Sequence, residues 1–270
     1  MHQGRDVVVT SDPDFTVEEF SCVDDHTGWF GNYQSAHQIM LVRSGMFRVR
    51  TGGVVADVDR TTCYLGVPGE ARQFAHPASG ELSTVITLSP ELWHSMAGEA
   101  RIDRHRVYAT ARLELVHRWI LAAGPDPGYA LTERLLALLA DVVARAAASA
   151  PPDHIRPART DPALVERARA AIAADHPSAR RLSSLATLLG SSPYRLSRAF
   201  SRELGVSLTH YRNRVRITRA MDRLEAGEPS LAVLAADLGF ADQAHLTRTV
   251  RDHLGHTPTA LRHLLAQRAS

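Results

Sequence analysis

The sequence contains no lysine, so all 31 of its basic residues are arginine. That absence removes Schiff-base enzymes, a pyridoxal phosphate anchor and the phosphate-cradling P-loop, each of which needs a lysine amine. Only two cysteines are present, Cys22 and Cys63. They are too few for a disulfide framework and lack the C-x-x-C spacing of a zinc ribbon or a thiol redox site. No run approaches the roughly 20 apolar residues that span a bilayer. Met1 to Phe15 carries Arg5, Asp6, Asp12 and Asp14 where a signal peptide needs an apolar stretch, so a cytoplasmic protein without a membrane partner is expected. G-x-G-x-x-G, G-x-S-x-G and H-E-x-x-H are missing as well. With those signatures absent, the expectation is a protein that is not an enzyme and takes no cofactor.

What remains is the composition of an ordinary globular chain, 44% hydrophobic and 22% charged, with 270 residues that suit two modest domains. The net charge of +2 hides an asymmetry. Residues 161–270 hold 16 Arg against 10 acids, or +6, while residues 1–160 hold 15 against 19, or −4. The changeover lies near Ala150 to Pro162, where four prolines and no apolar periodicity read as an exposed linker. The expected division is therefore a first domain over 1–150, a linker over 151–162 and a second domain over 163–270.

The first hundred residues predict strands. Ile39 to Val42 is a short apolar run, and Phe47 to Arg50 alternates before Thr51-Gly52-Gly53, a glycine pair placed to turn a hairpin. Val54 to Val58, Cys63 to Val67 and Leu82 to Leu88 continue the pattern, which fits an antiparallel barrel or sandwich. From Thr110 the period becomes helical. Leu113, Val116, Ile120 and Leu121 share one face, and Leu131, Leu135, Leu138, Leu139, Val142 and Val143 form a second stripe between Ala130 and Ser149. After the linker every segment reads as helix: Ala163 to Ala174 capped by Asp161, Ser183 to Leu189, Ser192 to Glu203, a long helix Thr209 to Ala226, Ser230 to Leu238 and Asp242 to His253. The fold class is α+β in two domains.

The second half contains a duplication. Leu185 to Gly190 and Leu234 to Gly239 are each a short amphipathic helix with a small Ala at its second position and a closing glycine. A second helix follows each, so a helix-turn-helix is written twice, and a connecting helix of about 27 Å suits two reading helices one 34 Å duplex turn apart. In the first copy Leu196, Ala199 and Phe200 face inward, leaving Tyr194, Arg195, Ser197, Arg198 and Arg202 outside. In the second, Leu246 and Val250 pack inward, leaving Gln243, His245, Arg248 and Arg251. An arginine fork matches guanine O6 and N7, and a glutamine amide matches adenine N6 and N7. Arg212, Arg214, Arg216 and Arg219 add charge expected to face phosphates. Against this stands the ordinary fate of a surface arginine, which is solvation; Arg198 and Arg248 differ because they hold the same step of two copies.

These residues give the resemblance. Ala235 to Arg248 with Gly255-His256-Thr257-Pro258, and in the first copy Leu185-Ala186, Ser192-Pro193, Leu196 to Phe200 and Glu203-Leu204-Gly205, resemble the DNA-binding domain of the AraC/XylS family of bacterial transcription regulators over residues 163–265. The resemblance implies base-reading positions at Tyr194, Ser197 and Arg198, and at Ala244, His245 and Arg248, with Ala244 limited to a thymine methyl. It also implies looser packing around the second copy, because Val250 and Leu261 stand where the family has aromatics. The partners implied are double-stranded promoter DNA, RNA polymerase for an activator, a small-molecule effector and a second copy of the chain through the N-terminal half.

The first half resembles the cupin-like sensor barrels that precede this domain in the family, on His37-Gln38-Ile39, Val42 to Gly45, Pro68-Gly69-Glu70 and His76-Pro77. No His-x-His pair is present, which weighs against a metal-dependent cupin enzyme. Candidate effector ligands are His37, Arg43, Arg72 and His76. Arg48 is a further cation, although strand arginines at alternate positions ordinarily face water. Trp29, Phe30 and Trp93 are candidate walls for a pocket. As an alternative, Cys22, His26, Cys63 and His76 supply the two thiolates and two imidazoles of a zinc or thiol sensor, against the usual role of a free cysteine as a small buried hydrophobe. The Leu131 to Val143 stripe has two expected uses: covering the barrel, or pairing with its copy in a dimer.

Overall fold

A computed structural model describes residues 5–22, 26–33, 35–77, 80–100, 102, 104–123, 125, 128–147 and 161–266, apart from the side chains of 5, 6, 26, 27, 32, 33 and 266. The contacts divide the chain into two compact units, 1–109 with 113–150, and 151–270 with 110–112. Residues 151–160 of the expected linker lie outside the described residues.

Among the described residues the N-terminal unit carries ten strands, β1 Arg5–Ser11, β2 Phe15–Cys22, β3 His26–Tyr33, β4 His37–Gly45, β5 Phe47–Thr51, β6 Val54–Val58, β7 Thr62–Gly66, β8 Ala71–His76, β9 Glu81–Leu88 and β10 Arg106–Tyr108. All recorded pairings are antiparallel. They form a six-stranded sheet ordered β1-β2-β9-β4-β7-β10 and a four-stranded sheet ordered β3-β8-β5-β6. The expected antiparallel architecture takes the form of two sheets that face each other, and among the described residues no ladder closes them. The core between them comes from both sheets, Met40, Val42 and Tyr64 from one and Phe47, Val49, Val58 and Phe74 from the other. Aromatic edges set its geometry, with Phe47 to Phe74 at 5.7 Å and Phe47 to Tyr64 at 6.5 Å between ring centroids. At the β5–β6 hairpin Gly52 and Gly53 both have positive φ, 56° and 80°, as the two-residue turn requires.

Three helices complete this unit, α1 Pro90–Ala97, α2 Ala111–Ala123 and α3 Tyr129–Ala147. The first was not expected. Its Ser89 side chain caps the Leu92 amide and Pro90 holds the first turn, a signal overshadowed by the strand immediately before it. The α3 stripe is buried within its own chain, with Leu135, Leu139 and Val143 fully enclosed, and α3 packs on α1 and β10. Those side chains therefore cannot also serve as a dimer seam.

The C-terminal unit holds α4 Pro162–Ala173, a 3₁₀ turn Pro177–Arg180, α5 Leu182–Leu188, α6 Pro193–Leu204, α7 Leu208–Glu225, α8 Leu231–Asp237, α9 Gln243–Leu254 and α10 Pro258–Ala266. Local signals fix most of the boundaries. Ser192, Ser207, Ser230 and Asp242 cap the starts of α6, α7, α8 and α9 with side-chain oxygens, and Gly205 and Gly255 end α6 and α9 in the left-handed conformation. Helix α7 packs against α4, α6, α9 and α10. Val250 and Leu261, expected to loosen the second copy, are both 0% exposed and seal it.

Gly45 supplies the sharpest steric demand in the N-terminal unit. Its φ is +72°, and a Cβ there would stand 2.1 Å from the Gly80 carbonyl oxygen. Gly45→Ala is expected to destabilise the N-terminal unit by roughly 2–3 kcal/mol in denaturant unfolding. Wild-type stability in that variant would contradict the close approach.

Candidate nucleic-acid interface and sensor cavity

Helices α6 and α9 present equivalent faces. Aligning Pro193 with Gln243 places Tyr194 over Ala244, Arg195 over His245, Ser197 over Thr247 and Arg198 over Arg248. Inward-facing Leu196, Ala199 and Phe200 are buried on α6, as are Leu246 and Val250 on α9. On α6 Tyr194 is 76% exposed; Arg195, Arg198 and Arg202 are exposed, and Ser197 is half-buried. On α9 Gln243, Ala244, Arg248 and Arg251 are exposed. His245 is half-buried, its ring edge-on to Phe240 at 5.3 Å, and its Nδ1 accepts from the Ala241 amide at 3.4 Å. That bond leaves Nε2 to meet a base or a phosphate.

The two faces differ in charge. Helix α6 starts at the neutral cap Ser192 and carries Arg195, Arg198 and Arg202 against one acid, Glu203, whereas α9 starts at the acidic cap Asp242 and sets Asp252 beside Arg248 and Arg251. For a polyanion α6 is the more favourable helix.

The arginine run on α7 needs correction. Arg214 is 0% exposed and donates to Thr218 Oγ1, so it cannot reach a phosphate. Its helical phase places it beside the buried Tyr211 and Thr218 rather than with Arg212 and Arg216. The other three are half-exposed and already engaged. Arg212 donates to the Ala179 carbonyl at 3.5 Å and also to that of Arg180; Arg219 donates to the Ala173 carbonyl at 2.6 Å; Arg216 lies over the Phe240 ring at 5.3 Å. Burial is the first cause that lowers the Arg216 pKa, followed by the nearby Arg212.

In the N-terminal unit two of the four expected effector residues come together. Arg72 and His76, both on β8, line a cavity of about 200 Å³ between the sheets with Phe20, Phe30, Gln38 and Glu81. Arg72 is 3% exposed, donates to Gln38 Oε1 at 2.9 Å and lies over the rings of Phe74 and Tyr64. The buried His76 Nε2 stands 2.7 Å from a Glu81 carboxylate oxygen. Sequence patterning missed Gln38, Phe20, Phe74 and Glu81, because only cross-strand register brings them to Arg72. His37 and Arg43 fall elsewhere. His37 stacks on Trp93 at 3.9 Å, with burial lowering its pKa, and Arg43 pairs with Glu19. Arg48 forms a two-pronged pair with Asp57 across the hairpin, and Arg50 lies over Trp29 at 4.0 Å.

The thiol and metal alternative finds no converging ligand set among the described residues. Cys63 is buried in β7 with its thiol toward the Val107 carbonyl at 3.5 Å, and burial pushes its pKa up to about 12. Cys22 is buried at the end of β2, and the side chain of His26 lies outside the described residues. Among the described residues no three His, Cys, Asp or Glu side chains converge to hold a metal. Nor, among them, is any helix long and apolar enough to cross a membrane.

Residues 185–263 match the family model described as a helix-turn-helix domain. They are an AraC-type helix-turn-helix domain. The AraC-type domain spans both copies, from α5 to α10, and is DNA-binding machinery of transcription regulators. No curated protein sequence matches the chain. Among solved structures, ToxT from Vibrio cholerae O395 is 14% identical, covering 94% of this chain and 99% of that one at a TM-score of 0.41. The C-terminal domain of AraT, a response regulator from Geobacillus stearothermophilus, is 30% identical, covering 40% of this chain and 88% of that one at 0.36. A regulator with an AraC-type DNA-binding domain from Chromobacterium violaceum is 25% identical, covering 39% and 94% at 0.36.

One titrating contact inside the AraC-type domain yields a pH dependence. His210 on α7 stacks on His253 of α9 with ring centroids 4.4 Å apart. Burial first, then the facing His210 and Arg214, hold His253 down to about 4 from its ordinary 6.5, against the pull of Asp252. Burial and Arg214 also lower His210. The folded state thus binds fewer protons than the unfolded one, so the contribution is complete above about pH 6.5 and is lost as pH falls toward 4. Hydrogen exchange at α9 amides in the whole chain is expected to accelerate between about pH 6.5 and about pH 4.5, relative to the intrinsic rate. His253→Phe, which keeps a ring in the stack, should flatten that dependence; an unchanged profile would assign the titration to another group.

Proposed function

We propose that the chain is a sequence-specific transcription regulator that lays α6 and α9 into adjacent major grooves on one face of promoter DNA, with its activity modulated by a small molecule held between the sheets of the N-terminal unit. No catalytic step belongs to this function. The observation that carries the reading is the repetition of an exposed arginine, Arg198 and Arg248, at the same step of two similarly capped helices flanking one buried helix. An arginine fork at such a step suits guanine, and the surrounding arginines suit phosphate. The base-reading set is Tyr194, Ser197 and Arg198 from α6, with His245 and Arg248 from α9; Arg195, Arg202, Gln243 and Arg251 flank it, and Ala244 offers a methyl.

The cavity supports the sensor half of the proposal. It joins a buried guanidinium and a buried imidazole–carboxylate pair to aromatic walls, the combination of a few placed polar groups in an apolar recess that small-molecule sites use. A homodimer through the N-terminal half would use the outer face of α3, where Tyr129 is 93% exposed and Glu133, Arg134 and Asp141 are exposed, rather than the buried stripe.

Two outcomes check the reading. Titrating the chain against a promoter fragment selected from genomic DNA should give log affinity falling with log salt at roughly 0.9 per phosphate neutralised, a slope of about 3 to 5 for the five exposed arginines of α6 and α9. Arg198→Ala should cost about 1–3 kcal/mol on the selected fragment and less on random duplex. Equal losses on both would reassign Arg198 to the phosphates, and a flat salt series would refute DNA binding. For the sensor, Phe74→Trp should fill the cavity and abolish the thermal stabilisation that a ligand from a small-molecule panel gives the wild type. Stabilisation retained in that variant would move the effector out of the cavity.

A further inference from the structure

The first recognition helix is tied to the residue that starts the C-terminal unit's first helix. Asp161 uses its two carboxylate oxygens separately. Oδ1 accepts from the Leu164 amide at 3.0 Å and caps α4, while Oδ2 accepts from Arg195 Nη2 at 2.6 Å. Arg195 precedes Arg198 by one helical turn and shares its exposed side of α6. Among the described residues neither Arg198 nor Arg202 forms such an ion pair. The second copy has no counterpart, since His245 occupies the step equivalent to Arg195 and bonds to its own Ala241 amide. The Asp161–Arg195 contact therefore distinguishes the two reading helices.

We infer that Asp161 is a positioning residue for DNA binding: it holds Arg195 against the start of α4 in the free protein and gives it up to a phosphate oxygen when duplex arrives. This rests on the reading of α6 as a DNA-contacting helix. The exchange is physically easy. The Arg195 side chain is 64% exposed and that of Asp161 29%, and an ion pair so wetted is weak and screened by salt. A phosphate offers the guanidinium the same kind of oxygen acceptor in a stronger negative field. Once Arg195 has left, Asp161 keeps its capping bond but becomes an uncompensated negative charge close to a polyanion. The carboxylate thus lowers affinity for all DNA alike, most of all at low salt, where its charge is least screened.

The test uses the full chain and a labelled duplex of random sequence, titrated across a salt series. Asp161→Asn keeps the cap, since Asn caps as well as Asp, and removes the ion pair. Affinity should rise about two- to fivefold at low salt, and that gain should shrink as rising salt screens the ion pair and the Asp161 charge. In an Arg195→Gln background the same change should gain less, because only the repulsion of Asp161 by the duplex is left to remove. Should Asp161→Asn disturb α4, seen as a lower unfolding temperature, the comparison shifts to Arg195→Gln alone, which should lose less affinity than Arg198→Gln because part of its binding contribution goes to breaking the ion pair. An Asp161→Asn protein that binds like wild type, one that gains equally with and without Arg195, or single glutamine variants with equal losses would overturn the assignment of Asp161. A wild type without salt-dependent affinity would instead overturn the DNA-binding reading on which it rests.

Discussion

Both recognition helices are placed by one buried strip of α7. Tyr211, Arg214, Ile217, Thr218, Met221 and Leu224 are enclosed along it, and side chains of α4, α6 and α9 meet near its start. Phe200 of α6 meets Tyr211 edge-on at 5.0 Å, while His253 of α9 stacks on His210. Arg169 of α4 donates to the Tyr211 hydroxyl at 3.3 Å. Helix α7, 18 residues long, is thus the shared support on which α4, α6, α9 and α10 pack. The cost is a guanidinium inside the domain. Arg214 must stay hydrogen-bonded, since a buried charge left without partners is strongly destabilising.

The duplication equalises geometry but not electrostatics. A neutral cap and three arginines on α6 face an acidic cap and an Asp252-diluted pair on α9. The positive charge therefore concentrates on α6. The N-terminal unit follows the opposite logic, turning its chemistry inward. Arg72, His76 and Glu81 sit between sheets, where low dielectric strengthens any polar contact a ligand makes.

The helical half was legible in the sequence because its signals are short-range. Ser192, Ser207, Ser230 and Asp242 announce helix starts three residues from the amides they bond, and Gly205 and Gly255 mark the ends. Helix α10 escaped because its start at Pro258 lies only three residues beyond Gly255, where the second copy had already ended. Strands with clear alternation, β5 and β6, were also readable, while β1 to β3 carry charges or glycines that mask the period. Partnerships between distant segments were not readable. Arg214 looks like its neighbours in a run with arginine at every second position, and only a helical period of 3.6 residues turns it inward. Arg72 resembles a solvent-facing strand arginine until register sets it against Gln38, and nothing local links Asp161 to Arg195 across 34 positions.

The proposed function places α6 and α9 in successive major grooves of a single duplex. Guanine-methylation interference on a promoter fragment bound by the full chain tests it directly, because it maps which major-groove N7 positions the protein needs. Two clusters about 10–10.5 base pairs apart on one face of the duplex are predicted. A single cluster, or two clusters on opposite faces, would contradict the account.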